Sequence, residues 1–107
     1  MRLSPKDKLA IEQAARECFP PGSTVLLFGS RLDDTRRGGD IDLLVEPPAP
    51  LAPRDLVKQR NRFIARIYRL VGERRIDVLI VPAGVPDDRP VIQVARRQGR
   101  VLTQVPQ

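Results

Sequence analysis

The sequence predicts an α+β domain, one sheet of three to four strands with helices packed on it. β-rich apolar runs stand at Thr24–Phe28, Ile41–Val45 and Ile76–Val81. Segments with apolar residues at helical spacing lie before, between and after them. Proline and glycine punctuate most junctions. With 107 residues, the chain is expected to form a single domain spanning 1–107, with a modest core.

The first helix starts after Ser4, which can cap it, with Pro5 in the first helical position and Asp7 three residues past the cap. Ile11, Ala14, Ala15 and Cys18 form its apolar stripe, and Pro20-Pro21-Gly22 stops it. Thr24-Val25-Leu26-Leu27-Phe28 reads as a strand buried on both faces, running into Gly29-Ser30. The polar stretch from Arg31 to Gly39 reads as a loop that can begin as a short helix. Ile41, Leu43 and Val45 then alternate with Asp40, Asp42 and Leu44, the two-residue period of a strand.

Pro47, Pro48, Pro50 and Pro53 make a stiff connector. From Asp55 to Val71 the apolar positions Leu56, Phe63, Ile64, Ile67, Leu70 and Val71 have helical spacing, and Gly72 terminates. The other face carries Lys58, Arg62, Arg66 and Arg69, a basic surface suited to an acidic partner. Ile76–Val81 is a third strand ended by Pro82. Asp87 or Asp88 is expected to cap a last helix from about Arg89 to Gln98, and Val101-Leu102 adds a short edge strand.

Composition excludes several function classes. The chain has no histidine and one cysteine, so neither a Cys/His nucleophile pair nor a zinc-binding cluster can form. The lone Cys18 fits a reducing cytoplasm. No apolar run approaches the ~20 residues of a membrane span. The start, Met1-Arg2-Leu3-Ser4-Pro5, lacks the apolar stretch of a signal peptide. The expectation is a cytoplasmic protein. A net charge of +6 suggests a polyanionic ligand or partner, although a solvated basic surface accounts for it as well. Direct nucleic-acid binding is not expected, because Tyr68 is the only tyrosine and no aromatic stacking platform accompanies it.

Three local features point to chemistry. Gly29-Ser30 follows a buried strand, where glycine permits close backbone approach and exposed amides favour phosphate. Asp40 and Asp42, two apart on a strand, project from one face. Carboxylates that close repel, and a divalent cation with hard-oxygen preference, such as Mg²⁺, resolves the conflict. Asp77 stands inside an otherwise apolar strand, with Ile76 and Val78 expected to face the core. Each feature alone has an ordinary structural explanation: a turn pair, a wet strand face, an exposed acid. Fixing Gly29, Ser30, Gly39, Asp40 and Asp42 at set spacing has a chance of roughly one in a million at residue frequencies of about 5–7% each. The functional reading therefore outweighs coincidence.

Phe28-Gly29-Ser30-Arg31, Gly39-Asp40-Ile41-Asp42-Leu43-Leu44-Val45 and Ile76-Asp77-Val78-Leu79 together resemble the nucleotidyltransferase superfamily that includes DNA polymerase β. The likeness is greatest to its minimal, stand-alone bacterial and archaeal members, whose closing helix the tail from Val91 to Leu102 also resembles. The resemblance implies a polymerase β-like fold with a mixed sheet. It also implies transfer of a nucleoside monophosphate, with ATP the expected substrate, to a hydroxyl acceptor with release of pyrophosphate. Asp40, Asp42 and Asp77 would be the catalytic and metal-binding residues, holding two Mg²⁺ ions, with Mn²⁺ an alternative. Asp77 would act as a metal ligand, as a general base, or as both. Gly29, Ser30 and Gly39 would serve the phosphates, and Arg31 either adds charge there or points into solvent.

Minimal nucleotidyltransferases of this kind are commonly paired with a helical HEPN-domain protein, whose tyrosine they adenylylate as antitoxins. The resemblance therefore implies such a partner chain. Two readings compete with it. One is an inactive module that neutralises a partner by contact alone. The other is a transferase acting on RNA or a small molecule together with another subunit.

Overall fold

A computed structural model describes residues 3–29 and 41–107. The expected turn from Arg31 to Gly39, with Ser30 and Asp40 beside it, lies outside the described residues.

The elements run α1 (Pro5–Cys18), β1 (Thr24–Phe28), β2 (Ile41–Glu46), α2 (Pro53–Val71), β3 (Ile76–Ile80), α3 (Pro90–Gln98) and β4 (Arg100–Gln104). The strands form one mixed sheet in the order β3-β2-β1-β4. β1 pairs antiparallel with both β2 and β4, while β2 and β3 run parallel. A parallel pair needs a long crossover, and α2 is that crossover. Among the described residues, three helices on a four-stranded mixed sheet make an α+β architecture, consistent with a polymerase β-like fold.

Strand alternation sorts the side chains onto two faces. On the back face, Val25, Leu27, Ile41, Leu43, Val45, Val78 and Leu102 meet Ile11, Ala14 and Ala15 of α1 and Phe63 and Ile67 of α2 in one core. Phe63 is fully buried, and its ring meets Phe19 edge-on with centroids 5.0 Å apart. On the front face, Leu26, Phe28 and Leu44 pack with Val81 and with Ile92 and Ala95 of α3. Among the described residues, α3, with nine residues, is the one helix on this face.

The helix ends follow from local chemistry. Ser4 Oγ accepts the Asp7 N–H at 3.1 Å, closing the first turn of α1. Gly72 ends α2 at φ 84°, a conformation open to glycine, and its N–H bonds the Tyr68 carbonyl at 2.7 Å. Two sequence expectations are corrected. α2 begins at Pro53 rather than Asp55, because proline fits the first turn, where its missing N–H is not needed. α3 has Arg89 at its cap position and no side-chain cap. The Asp87 carboxylate is engaged elsewhere, by the Arg89 N–H at 3.0 Å and the Arg89 guanidinium at 2.8 Å.

Arg96 clamps α3 to the sheet. Its Nε donates to Glu46 at 2.9 Å, and its two Nη atoms donate to the Val85 and Pro82 carbonyls at 2.6 and 3.1 Å. α3 is thereby held near the Glu46 end of β2, with Val91 at its start lining the same cleft as Asp42. Among the described residues no helix is long and apolar enough to cross a membrane.

Candidate active site

Across the front face, Phe28, Asp42 and Asp77 occupy one row on β1, β2 and β3. Phe28 is the register partner of Asp42, and Asp42 is the register partner of Asp77. Parallel pairing of β2 with β3 is what brings the two acids together, although 77 − 42 = 35 positions separate them in the chain. Neighbouring strands lie about 4.8 Å apart, so two side chains in register on one face are neighbours. Asp42 is half-buried and Asp77 exposed, while Val78 is buried behind the sheet, as the alternation predicts.

Gly29 follows Phe28 with φ +80°, in the left-handed region. A Cβ built at this position would run into the Asp42 carboxylate. Glycine is therefore needed twice, for the backbone turn and for the space beside Asp42. Ser30, Arg31, Gly39 and Asp40, the other residues singled out by sequence, lie outside the described residues.

The row opens into a cleft of about 390 Å³ lined by Phe28, Asp42, Arg60, Asp77, Val78, Leu79 and Val91. Its floor carries two carboxylates. Phe28, Leu79 and Val91 give it an apolar wall, with Val91 contributed by α3. A wider depression of about 580 Å³ adjoins at the start of β3, lined by Tyr68, Arg74, Arg75 and Asp77 among others. Asp77 thus borders both.

Arg60 is the residue that sequence reasoning missed. It belongs to α2, behind the sheet, yet its Nε donates to the Val78 carbonyl at 2.9 Å and its side chain lines the cleft. Its position carried a signal. Leu56, Arg60, Phe63 and Ile67 fall at the spacing of the buried stripe, so Arg60 is a charge where an apolar residue is expected.

The donor set fits a hard divalent cation. Asp42 and Asp77 supply carboxylate oxygens from adjacent positions, and a cation between them relieves their repulsion. Among the described residues no group of three His, Cys, Asp or Glu side chains is placed to hold a metal ion. The third expected ligand, Asp40, lies outside them.

The fold has a solved counterpart in a toxin–antitoxin complex. That structure, a crystal structure of the toxin–antitoxin with AMP-PNP, matches 92% of this chain and 73% of its own chain, with a TM-score of 0.67 and 19% identity. At that identity the likeness establishes the fold. No family model matches the chain, and no curated protein matches it.

The basic face of α2 is partly neutralised. Arg66 pairs with Glu17 of α1 at 3.1 Å, and Arg62 and Arg69 border the same groove. Cys18 lies at its base, where burial raises the thiol pKa against the opposing pull of Arg62. This groove lies on the helices of the back face, across the sheet from the acids.

Proposed function

We propose that the chain is a minimal nucleotidyltransferase that transfers AMP from ATP to a hydroxyl of a partner toxin, and so acts as its antitoxin. A tyrosine of a HEPN-type protein is the acceptor this reading favours. The observation that carries it is the register of Asp42 beside Asp77, with Gly29 fitted against Asp42. The fold, shared with a chain of a toxin–antitoxin complex crystallised with an ATP analogue, supports it.

In the transfer, the acceptor oxygen attacks the α-phosphorus of ATP and a new O–P bond forms. The bond from that phosphorus to the bridging β-phosphate oxygen breaks, and pyrophosphate leaves with the electron pair. The acceptor proton passes to an Asp77 carboxylate oxygen, or to water when Asp77 serves only as a metal ligand. Asp42 and Asp77, with Asp40, would hold two Mg²⁺ ions, or Mn²⁺, which when bound neutralise phosphate charge and lower the pKa of the acceptor hydroxyl. The Gly29 amide, with Ser30, Arg31 and Gly39, would serve the phosphates. The apolar wall of Phe28, Leu79 and Val91 would limit water at the reacting groups on one side.

The test is incubation with α-phosphate-labelled ATP and Mg²⁺, with and without the product of the adjacent gene, alongside Asp42→Asn. Label on the partner that disappears in the variant supports the reading. Label that appears instead on RNA or a small molecule moves the acceptor. Undiminished labelling by Asp42→Asn removes the site from the mechanism, and absence of ATP binding leaves an inactive binding module.

A further inference from the structure

We propose that Arg60 is a phosphate ligand of the cleft, placed to hold the nucleotide's α-phosphate from the edge of the sheet beyond Asp77. The inference rests on the nucleotidyl-transfer reading and assigns a residue that the acidic motif does not include.

Among the described residues β3 is an edge strand, with β2 on one side only. The Arg75 carbonyl accepts from the Ile41 N–H at 2.7 Å, and the Val81 N–H donates to the Val45 carbonyl at 3.0 Å. Odd-numbered residues of this segment therefore turn their peptide groups toward β2. Even-numbered ones, Val78 among them, turn theirs toward the open edge. Arg60 answers that exposed carbonyl with Nε. Capping an edge carbonyl takes a single donor, and a lysine or glutamine could supply it.

The remainder of the guanidinium has a different use. With Nε fixed, the two Nη groups keep a defined orientation at the cleft, and among the described residues Arg60 forms no ion pair. The planar fork matches two oxygens of one phosphate, and tethering reduces the entropy lost on binding. Beside it stand two carboxylates suited to cations. Once cations occupy them, an anionic group bridging cations and arginine is the ligand that balances the cleft's charge. A phosphate that sits over Asp42 and Asp77 meets Arg60 from the β3 side, opposite Gly29 at the β1 side.

The experiment is calorimetric titration of the full chain with AMP and with adenosine in Mg²⁺ buffer, comparing native protein with Arg60→Gln and Arg60→Lys. Losing a charge-assisted contact should lower the preference for AMP over adenosine by about tenfold in both variants, with adenosine affinity unchanged. A role confined to capping Val78 would leave the preference for AMP over adenosine unchanged, whatever the shift in melting temperature, and would overturn the assignment. Because an edge-strand variant can fold poorly, the native chain is also followed by NMR of its arginine side chains. AMP, unlike adenosine, should shift the Arg60 guanidinium resonances; unmoved resonances at saturating AMP would overturn the assignment too. A native chain that labels its partner while Arg60→Gln keeps the full AMP preference sinks the role of Arg60 alone. A native chain that binds no adenine nucleotide sinks the transfer reading with it.

Discussion

The two faces of the sheet are finished to different degrees. The back face is roofed by α1 and α2, and its core contains aliphatic residues and the Phe19–Phe63 pair. Among the described residues the front face has only α3, whose Val91 remains 43% exposed, and Asp42 and Asp77 line a cleft there. The same strands supply both, because alternate residues of β2 and β3 serve opposite sides. The core and the candidate site are thereby separated by one residue step along a strand: Leu43 behind, Asp42 in front.

Substitutions on the two sides should therefore fail differently. The largest effect on folding is expected behind the sheet. Phe63→Ala should cost about 3–5 kcal/mol, measured by urea denaturation, a large part of the stability of a domain this small. A cost below 1 kcal/mol would mean that the back face is not the stabilising one. At the junction of the two regions, Gly29→Ala should cost about 1–2 kcal/mol from its positive φ. Its added methyl would also displace the Asp42 carboxylate, so metal-dependent nucleotide binding should weaken more than stability does, as calorimetry would read.

On the front face, Asp77→Asn should change stability by less than about 0.5 kcal/mol, as expected at an exposed position. Transfer of label should nevertheless fall by about 10²-fold or more. Loss of folding with loss of activity would erase the distinction between the faces. The smallest effect concerns the turn before α3. Arg89 hydrogen-bonds the Asp87 carboxylate and holds its pKa at about 2, below the ordinary 3.8. A depressed acid contributes above its unfolded pKa and loses that contribution as pH falls through about 2. An NMR titration of Asp87 with a midpoint near 3.8 would show the pairing absent in solution.

Much of this architecture was legible in the sequence, for reasons that can be named. Ser4-Pro5 and Gly72 act through local backbone chemistry, so they marked the start of α1 and the end of α2 directly. The alternation in Ile41-Asp42-Leu43 and Ile76-Asp77-Val78 fixed which side chains share a face. Pairing is not local, and the residues alone did not say that β2 and β3 run parallel; the mixed sheet came from resemblance. The cap of α3 was misread because Asp87 had a nearer partner in Arg89. Arg60 was passed over because its contact with Val78 depends on which strand lies at the edge, and that is decided by the whole sheet. Of the candidate site, Gly29, Asp42 and Asp77 come together, while Ser30, Arg31, Gly39 and Asp40 lie outside the described residues.

The connector between β2 and α2 has one more consequence. Pro48, Ala49 and Pro50 are exposed and lie outside every helix and strand. Cutting there would leave Gly29 and Asp42 on one fragment, and Arg60 and Asp77 on the other. Neither piece would own a cleft. Co-expressed halves would rebuild one by docking across the β2–β3 and β1–β4 pairings and the shared back-face core, so that a cleft forms only when both parts are present.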